Sequence, residues 1–352
     1  MKVAFVSQSL AGGGQERVTA NLANFLSDDS NMSVIVITAE ESDNDYTLSE
    51  KVKRYSILEN KLLSDSKKLR AILNTNSVDT VIGMGIYANF LCCMSNFFLK
   101  TRVIISERND PAHDRLSLKS KIFRFVFYRF ADGYIFQTEG ARAFYSKKIQ
   151  EKGVIIPNPL KDGIPYKSNI CNKEIVAVGR LSPQKNYSNL IGAFAEMSKR
   201  HPEYILRIFG TGELEENLKN FCRELKISDK VVFEGFCTDV HEKIKDSDIF
   251  VLSSDFEGMP NSLMEAMAMG FPVISTDCPS GGPESLIENE ENGLLVPVND
   301  SNQLADALNR LIEDESFKKE LGEKAKDIRS RFNQSIISRK LVDFITNGEI
   351  KV

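Results

Sequence analysis

Short apolar runs alternate with helix-spaced patterns along the chain. VAFVS at 3–7 passes through a glycine loop into a stretch with Val18, Leu22 and Leu26 on one helical face, and then into SVIVIT at 33–38. A strand that is apolar throughout is buried on both faces, and a helix between two such strands predicts a parallel βαβ unit rather than an all-β or all-α fold. The second half repeats the device: EIVAVG, YILRIFG, VVFEG, DIFVLSS and PVIST read as strands, with LIGAFAEMSKR and ELEENLKNFCREL as helices among them. The expected fold class is α/β, with two doubly wound Rossmann-like domains.

One uncharged stretch, Thr80 to Leu99, has the length of a membrane span, for which about 20 apolar residues suffice. Gly83, Gly85, Asn89, Ser95 and Asn96 interrupt it, and GMG splits it into a strand, TVIG, and a helix, YANFLCCMSNFFL. A buried α/β unit is expected there instead. A further break falls at IPNPLKDGIPYKSN, 156–169, where three prolines and a glycine interrupt any regular element. That break predicts two domains, 1–158 and 170–334.

Length and composition agree: 352 residues, 42% apolar and 27% charged, suit a soluble globular chain too long for one typical core. Six cysteines (92, 93, 171, 222, 237, 278) form no CxxC or disulfide-like spacing, and histidines at 113, 201 and 241 are too scattered for a zinc cluster. A reducing cytoplasm is the expected setting. MKVAFVSQSL enters a strand pattern at once, with too short an apolar run for a signal peptide, so export is not expected.

Charge changes the picture of the first half. Residues 1–158 carry 21 Lys and Arg against 17 Asp and Glu, net +4, and the remainder carries 24 against 32, net −8. The excess concentrates between Lys100 and Lys152 and includes KSKIFRFVFYRF at 119–130. A helix there places Phe123, Phe127 and Phe130 on one stripe and Ile122 and Val126 on another. It could bury one stripe and offer the rest to anionic headgroups, making 115–130 a contact with a membrane surface, or it could be a buried helix with solvated basic residues. Both readings stand. Nucleic acid is not expected as a partner, because the patch is short and no binding motif accompanies it.

The chemistry concentrates in SSDFEGMPNSLMEAMAMGFPVIST, 253–276. Pro260 fits at or just before a helix start, Asn261 or Ser262 can cap it, and Gly270 ends it, so Glu265 sits about one turn inside while Glu257 lies in the loop before. The two acids then flank a helix N-terminus whose N–H groups, near Asn261, Ser262 and Leu263, and positive dipole end suit a diphosphate. A helix cap with two incidental surface acids would look the same in isolation. Elsewhere, Arg180 and Lys185 in VGRLSPQKN follow a strand and offer fixed positive charge to a leaving diphosphate. Gly13 and Gly14 let backbone and the following helix N-terminus approach phosphates or sugar closely.

Two Asp-x-Asp triplets, Asp43-Asn44-Asp45 and Asp246-Ser247-Asp248, raise a divalent ion, but the first lies in a polar loop and the second borders a strand. The expectation is transfer without a metal, Arg180 and Lys185 performing its electrostatic task. A Rossmann dehydrogenase would place a carboxylate near the end of strand two, here Glu40, but GGGQER is not G-x-G-x-x-G and the paired acids would be unexplained.

These residues together resemble the family-4 glycosyltransferases, retaining enzymes of the GT-B fold, two Rossmann-like domains facing across a cleft. The family's E-x7-E lies in F-E-G-x-P-x-x-x-x-E-A-M-A-x-G-x-P-V-I, matched here nearly throughout from Phe256, Glu257 and Gly258 onward. Gly179-Arg180 with Lys185 matches its G-R…K, Gly210-Thr211-Gly212 its G-x-G, and Gly12 to Arg17 its N-terminal glycine loop. The resemblance implies that Glu257 binds hydroxyls of a donor sugar and Glu265 those of the ribose, with front-face chemistry in which the departing phosphate oxygen takes the acceptor proton. Glu257 as nucleophile is the lesser reading. It also implies no cofactor beyond a UDP-sugar donor and a final segment, 335–352, packed back on the first domain. It further implies, as the expected acceptor, a glycan carried on polyprenyl diphosphate, in surface-polysaccharide synthesis at the cytoplasmic face of the membrane. Many relatives place a histidine after the strand matching RVIISE, where this chain has Arg108; Arg108 is taken to replace it, with His113 the alternative.

Two other readings remain open. A sugar-nucleotide epimerase would convert donor without an acceptor, and a non-catalytic sugar-nucleotide binding protein would bind it without turnover.

Overall fold

The computed structural model describes residues 1–39, 41–96, 99–114 and 116–348. Glu40, Phe97, Phe98 and Arg115, which figure in the expectations above, lie outside the described residues. The chain forms two compact units, one of Met1–Pro159 together with the segment from Gln334, the other Leu160–Asn333.

The first unit is built on a seven-stranded sheet in the order β3-β2-β1-β4-β5-β6-β7. Its strands are β1 (Lys2–Ser7), β2 (Ser33–Thr38), β3 (Lys53–Ser56), β4 (Thr80–Met84), β5 (Arg102–Ser106), β6 (Gly133–Phe136) and β7 (Gly153–Ile155). Every pairing is parallel; Val3 lies opposite both Val34 and Thr80. Its helices are α1 (Gly14–Ser27), α2 (Leu62–Thr75), α3 (Ile86–Ser95), α4 (Leu118–Phe127), the short α5 (Glu139–Ala143) and α6 (Lys147–Glu151). Val18, Leu22 and Leu26 bury the inner face of α1, as their spacing predicts. The uncharged 80–96 stretch is β4, a Gly85 turn at φ +89°, and α3, and its polar Asn89 donates to Ser106 O and Tyr128 Oη inside the core. Among the described residues no helix is long and apolar enough to cross a membrane.

The final helix, Gln334–Asn347, belongs to this unit. Arg102 of β5 donates from Nη1 to Phe344 O and Ile345 O at 3.1 and 2.8 Å, placing a cation on carbonyls of the helix's last turn, where the dipole is negative.

Helix α4 divides its aromatic residues differently from the expected stripes. Phe123 and Phe127 stack on each other, 3.9 Å between centroids, and Phe123 meets Phe90 of α3 edge-on. Phe130 meets Phe127 edge-on, 6.4 Å between centroids, but is itself exposed, in a 3-10 turn (Tyr128–Phe130) that breaks the helical spacing. Ile122 and Phe125 are 56% and 66% exposed, and Leu118 and Val126 are exposed beside them.

The second unit holds a six-stranded parallel sheet in the order β10-β9-β8-β11-β12-β13. These are β8 (Glu174–Val178), β9 (Ile205–Phe209), β10 (Val231–Gly235), β11 (Ile249–Leu252), β12 (Val273–Thr276) and β13 (Leu294–Val296). Between and after them run α7 (Tyr187–Arg200), α8 (Glu215–Glu224), α9 (Val240–Ile244), α10 (Asn261–Met269), α11 (Ser301–Glu313), α12 (Glu315–Ala325) and α13 (Ile328–Arg331); Gln334–Asn347 is then α14. Leu190, Phe194 and Met197 of α7 pack with Leu206, Ile208, Leu304 and Leu308 in one apolar cluster.

Candidate active site

In an open parallel sheet the crevice lies beyond the carboxyl ends of the strands, where the strand order reverses. In the second unit that point falls between β8 and β11, because the chain runs from β8 outward to β10 and then returns to β11 on the other side. The loop after β8 carries Gly179 and Arg180 and closes in a 3-10 turn, Pro183–Lys185. From β11 the chain brings Glu257, and α10 behind it Glu265. Lys185 and Glu257, 72 positions apart in sequence, thus meet because the two strands are neighbours.

Lys185 Nζ sits 2.5 Å from Glu257 Oε1, with the side chains 17% and 9% exposed. Ser254 Oγ donates to the same oxygen at 2.7 Å, and Gln184 Nε2 reaches the other at 3.4 Å while donating to Phe256 O at 2.9 Å. Ser280 Oγ donates to the Glu257 carbonyl. The two loops are further tied by Asp255 N to Gln184 O at 2.9 Å, Ser253 Oγ to Lys185 O at 2.8 Å and Asn186 Nδ2 to Asp255 Oδ1 at 2.6 Å. A buried carboxylate is thereby fixed in position by a cation and a hydroxyl, an arrangement that limits its motion. Burial, with Glu257 near, pushes the neighbouring Cys278 thiol up to about 12, so it stays protonated.

The start of α10 differs from the expected cap. Pro260, extended at φ −77° and ψ 104°, occupies the cap position and Asn261 is the first helical residue. Proline has no side-chain acceptor, so it leaves the first-turn N–H groups of Asn261, Ser262 and Leu263 without a cap from that residue. Gly270 ends the helix at φ +90°. Glu265 lies within α10, largely buried, and accepts from or shares a proton with His241 Nε2 at 2.9 Å. Arg180 is exposed, and its side chain makes no ion pair or hydrogen bond among the described residues.

The glycine elements pack the loops. Gly210 holds φ +142°, and a Cβ there would lie 2.0 Å from Gly179 O; one on Gly212 would lie 2.3 Å from Leu181 O. Their role in the fold is to let the β9 loop lie against the β8 loop that carries Arg180. Buried Gly258 is approached in the same way by Gly282, where a Cβ would meet Gly258 O at 1.8 Å.

Gly13 and Gly14 follow β1 at the first unit's own reversal between β1 and β4, and Arg108 follows β5, the strand beyond β4. Gly13 caps α1 with extended backbone, and a Cβ on it would strike the Glu16 carboxylate folded over that helix end. A cavity of about 390 Å³ there is lined by Gln8, Gln15, Glu16, Tyr87, Glu107 and Arg108, among others. Arg108 donates from Nη2 to Asn158 Oδ1 at 2.7 Å, its buried Nε has no hydrogen-bond partner among the described residues, and burial lowers its pKa to about 10. Burial raises the Glu107 carboxyl to about 7 against the opposing hydrogen bond from Tyr145 Oη at 2.5 Å. His113 is tied to Asp110 at 2.7 Å.

Both Asp-x-Asp triplets are engaged with cations: Asp45 with Arg54 at 2.7 Å, Asp248 with Lys318 at 2.9 Å. Sequence reasoning missed Gln184, Ser254, Ser280, Gly282 and His241. The first two lie inside the quoted motifs; the others carry no local signal and are identified only by the loops that meet.

Two parallel-sheet α/β units with a cation and two carboxylates at a strand reversal define the chain as a GT-B glycosyltransferase. Residues 166–328 match the family model described as glycosyl transferases group 1. The chain is 31% identical, over all of its own length and 99% of the relative's, to a Campylobacter jejuni GalNAc-α-(1→4)-GalNAc-α-(1→3)-diNAcBac-PP-undecaprenol α-1,4-N-acetyl-D-galactosaminyltransferase. An uncharacterized Haemophilus influenzae glycosyltransferase is 28% identical over 92% of this chain and 93% of its own. Among solved structures, Anabaena HepE in complex with UDP and glucose superposes with a TM-score of 0.85 at 20% identity, covering 98% of this chain and 99% of that one. The chain belongs to the group 1 glycosyl transferases.

Proposed function

We propose that the chain is a retaining transferase of family 4 that moves a hexose or N-acetylhexosamine from a UDP-sugar to a lipid-linked glycan in surface-polysaccharide synthesis. The observation that carries the reading is the Lys185–Glu257 pair, joining the loop that carries Arg180 to the loop that leads into α10. Cleavage of the donor builds negative charge on the diphosphate and positive charge on the anomeric carbon. Arg180, Lys185 and the first-turn N–H groups of Asn261, Ser262 and Leu263 take the first, and Glu257, held in place, binds hydroxyls of the sugar that carries the second. Glu265 binds the ribose. Because fixed cations carry the diphosphate, no metal is required, and the engagement of Asp45 and Asp248 with Arg54 and Lys318 agrees. In the first unit Gly13, Gly14 and Arg108 serve donor sugar or acceptor.

The lipid-linked acceptor is supported by the undecaprenyl-linked substrate in the Campylobacter relative's name. Peripheral association with the cytoplasmic face of the membrane is supported by exposed Leu118, Ile122, Phe125 and Phe130 beside Lys119, Lys121 and Arg129. A thermal-shift panel of UDP, UDP-hexoses, UDP-N-acetylhexosamines, GDP-sugars and NAD, with EDTA present, tests the core of the reading, since a ligand of the native state raises the melting temperature. Stabilisation by UDP compounds that is lost in Glu265→Ala is expected; a shift with NAD alone would overturn it.

A further inference from the structure

His241 is joined to the α10 carboxylate by the fold and not by its sequence neighbourhood. It lies in α9, on the crossover that carries the chain from edge strand β10 back to β11, and meets Glu265, 24 positions later. Nε2 and Glu265 Oε2 are 2.9 Å apart, with the side chains 15% and 9% exposed. The other two histidines pair elsewhere: His113 with Asp110, and His201 with Glu313. An ionised carboxylate only accepts, so Nε2 carries the proton and donates it.

We propose that His241 is a positioning residue for donor recognition, its Nε2–H holding the Glu265 carboxylate in the plane in which it meets the ribose hydroxyls of the donor nucleotide. The inference rests on the ribose-binding role proposed for Glu265. A glutamate side chain loses rotamer freedom when a ligand orders it, and one already fixed by a neighbour avoids most of that loss. The effect therefore falls on donor binding and not on the chemical step. His241 sets affinity through Glu265 without touching the reacting atoms.

Calorimetric titration with UDP and steady-state kinetics with the UDP-sugar donor, on His241→Ala, His241→Gln, Glu265→Gln and the His241→Ala/Glu265→Gln double variant, test this. His241→Ala should raise the UDP Kd and the donor KM about tenfold with kcat changed less than about twofold. His241→Gln, whose amide nitrogen reaches the Nε2 position, should recover the affinity, and His241→Ala should add nothing in the Glu265→Gln background. Wild-type UDP affinity in His241→Ala, a fall in kcat at unchanged KM, or an undiminished effect in the double variant would overturn the proposal. Should His241→Ala melt below the assay temperature, His241→Gln against the shorter His241→Asn decides: equal affinities overturn the proposal, and loss in His241→Asn alone supports it. If Glu265→Gln itself binds UDP like the wild type, the ribose role of Glu265 fails, and this proposal with it.

Discussion

At the reversal between β8 and β11 each glutamate has a cationic or proton-donating partner: Lys185 on Glu257, His241 on Glu265. In the cavity beside the first unit's reversal the acid and the cation, which follow β5, have separate partners, Glu107 the Tyr145 hydroxyl and Arg108 the Asn158 amide. The same topology thus supports two electrostatic designs. The first holds each carboxylate in place against a lysine or a histidine, with the exposed Arg180 on the same loop as the lysine. The second pushes Glu107 up to about 7 and Arg108 down to about 10 through burial, in a cavity whose lining also includes the Glu16 carboxylate, Gln8, Gln15 and Tyr87.

The largest effect expected from this contrast is in Glu257→Ala. It strands Lys185 with little water around it, and removing one partner of a buried pair costs about 3–5 kcal/mol, here nearer the lower figure because Lys185 keeps some exposure. Urea unfolding and turnover should both fall; unchanged stability would show that the pair is not prearranged.

Glu107 supplies a prediction of opposite sign. Below about pH 4.5 its carboxyl is protonated in folded and unfolded chains alike and contributes nothing. As pH rises toward 7 the unfolded chain releases the proton first, so the folded state loses stability across that window, by roughly 3 kcal/mol in all. Glu107→Gln should remove this loss, so that its urea midpoint overtakes the wild type's between pH 4.5 and 7. A pH-independent difference would erase the contrast between the two reversals.

The smallest effects lie on α4. Ile122→Ser with Phe125→Ser should reduce co-sedimentation with anionic vesicles several-fold while leaving the melting temperature nearly unchanged, because both side chains are exposed. Phe123→Ala with Phe127→Ala should do the reverse and lower the melting temperature by several degrees, because these rings are stacked against the core.

The same difference between the reversals explains what the sequence disclosed. Glu257, the α10 N-terminus and Glu265 are local, eight positions apart on a loop and helix, and the flanking apolar strands mark the sheet that presents them. Proline at the cap position defeated the reading of Asn261 or Ser262 as cap, since a residue that looks like a good cap can be displaced one position by backbone geometry alone. His241 was illegible because only the strand order brings α9 to α10. On α4, spacing revealed two stripes but could not say which faced α3, and the 3-10 turn then removed Phe130 from the inner one. β13, three residues long, is too short for any periodicity to register.

The most direct test of the central claim, that fixed cations at the β8–β11 reversal carry the leaving diphosphate, is the turnover of Arg180→Ala with a UDP-sugar donor and EDTA present, measured beside its UDP affinity. The account predicts a fall in kcat of about 100- to 1,000-fold with UDP affinity reduced less than about tenfold. Turnover equal to the wild type would contradict it.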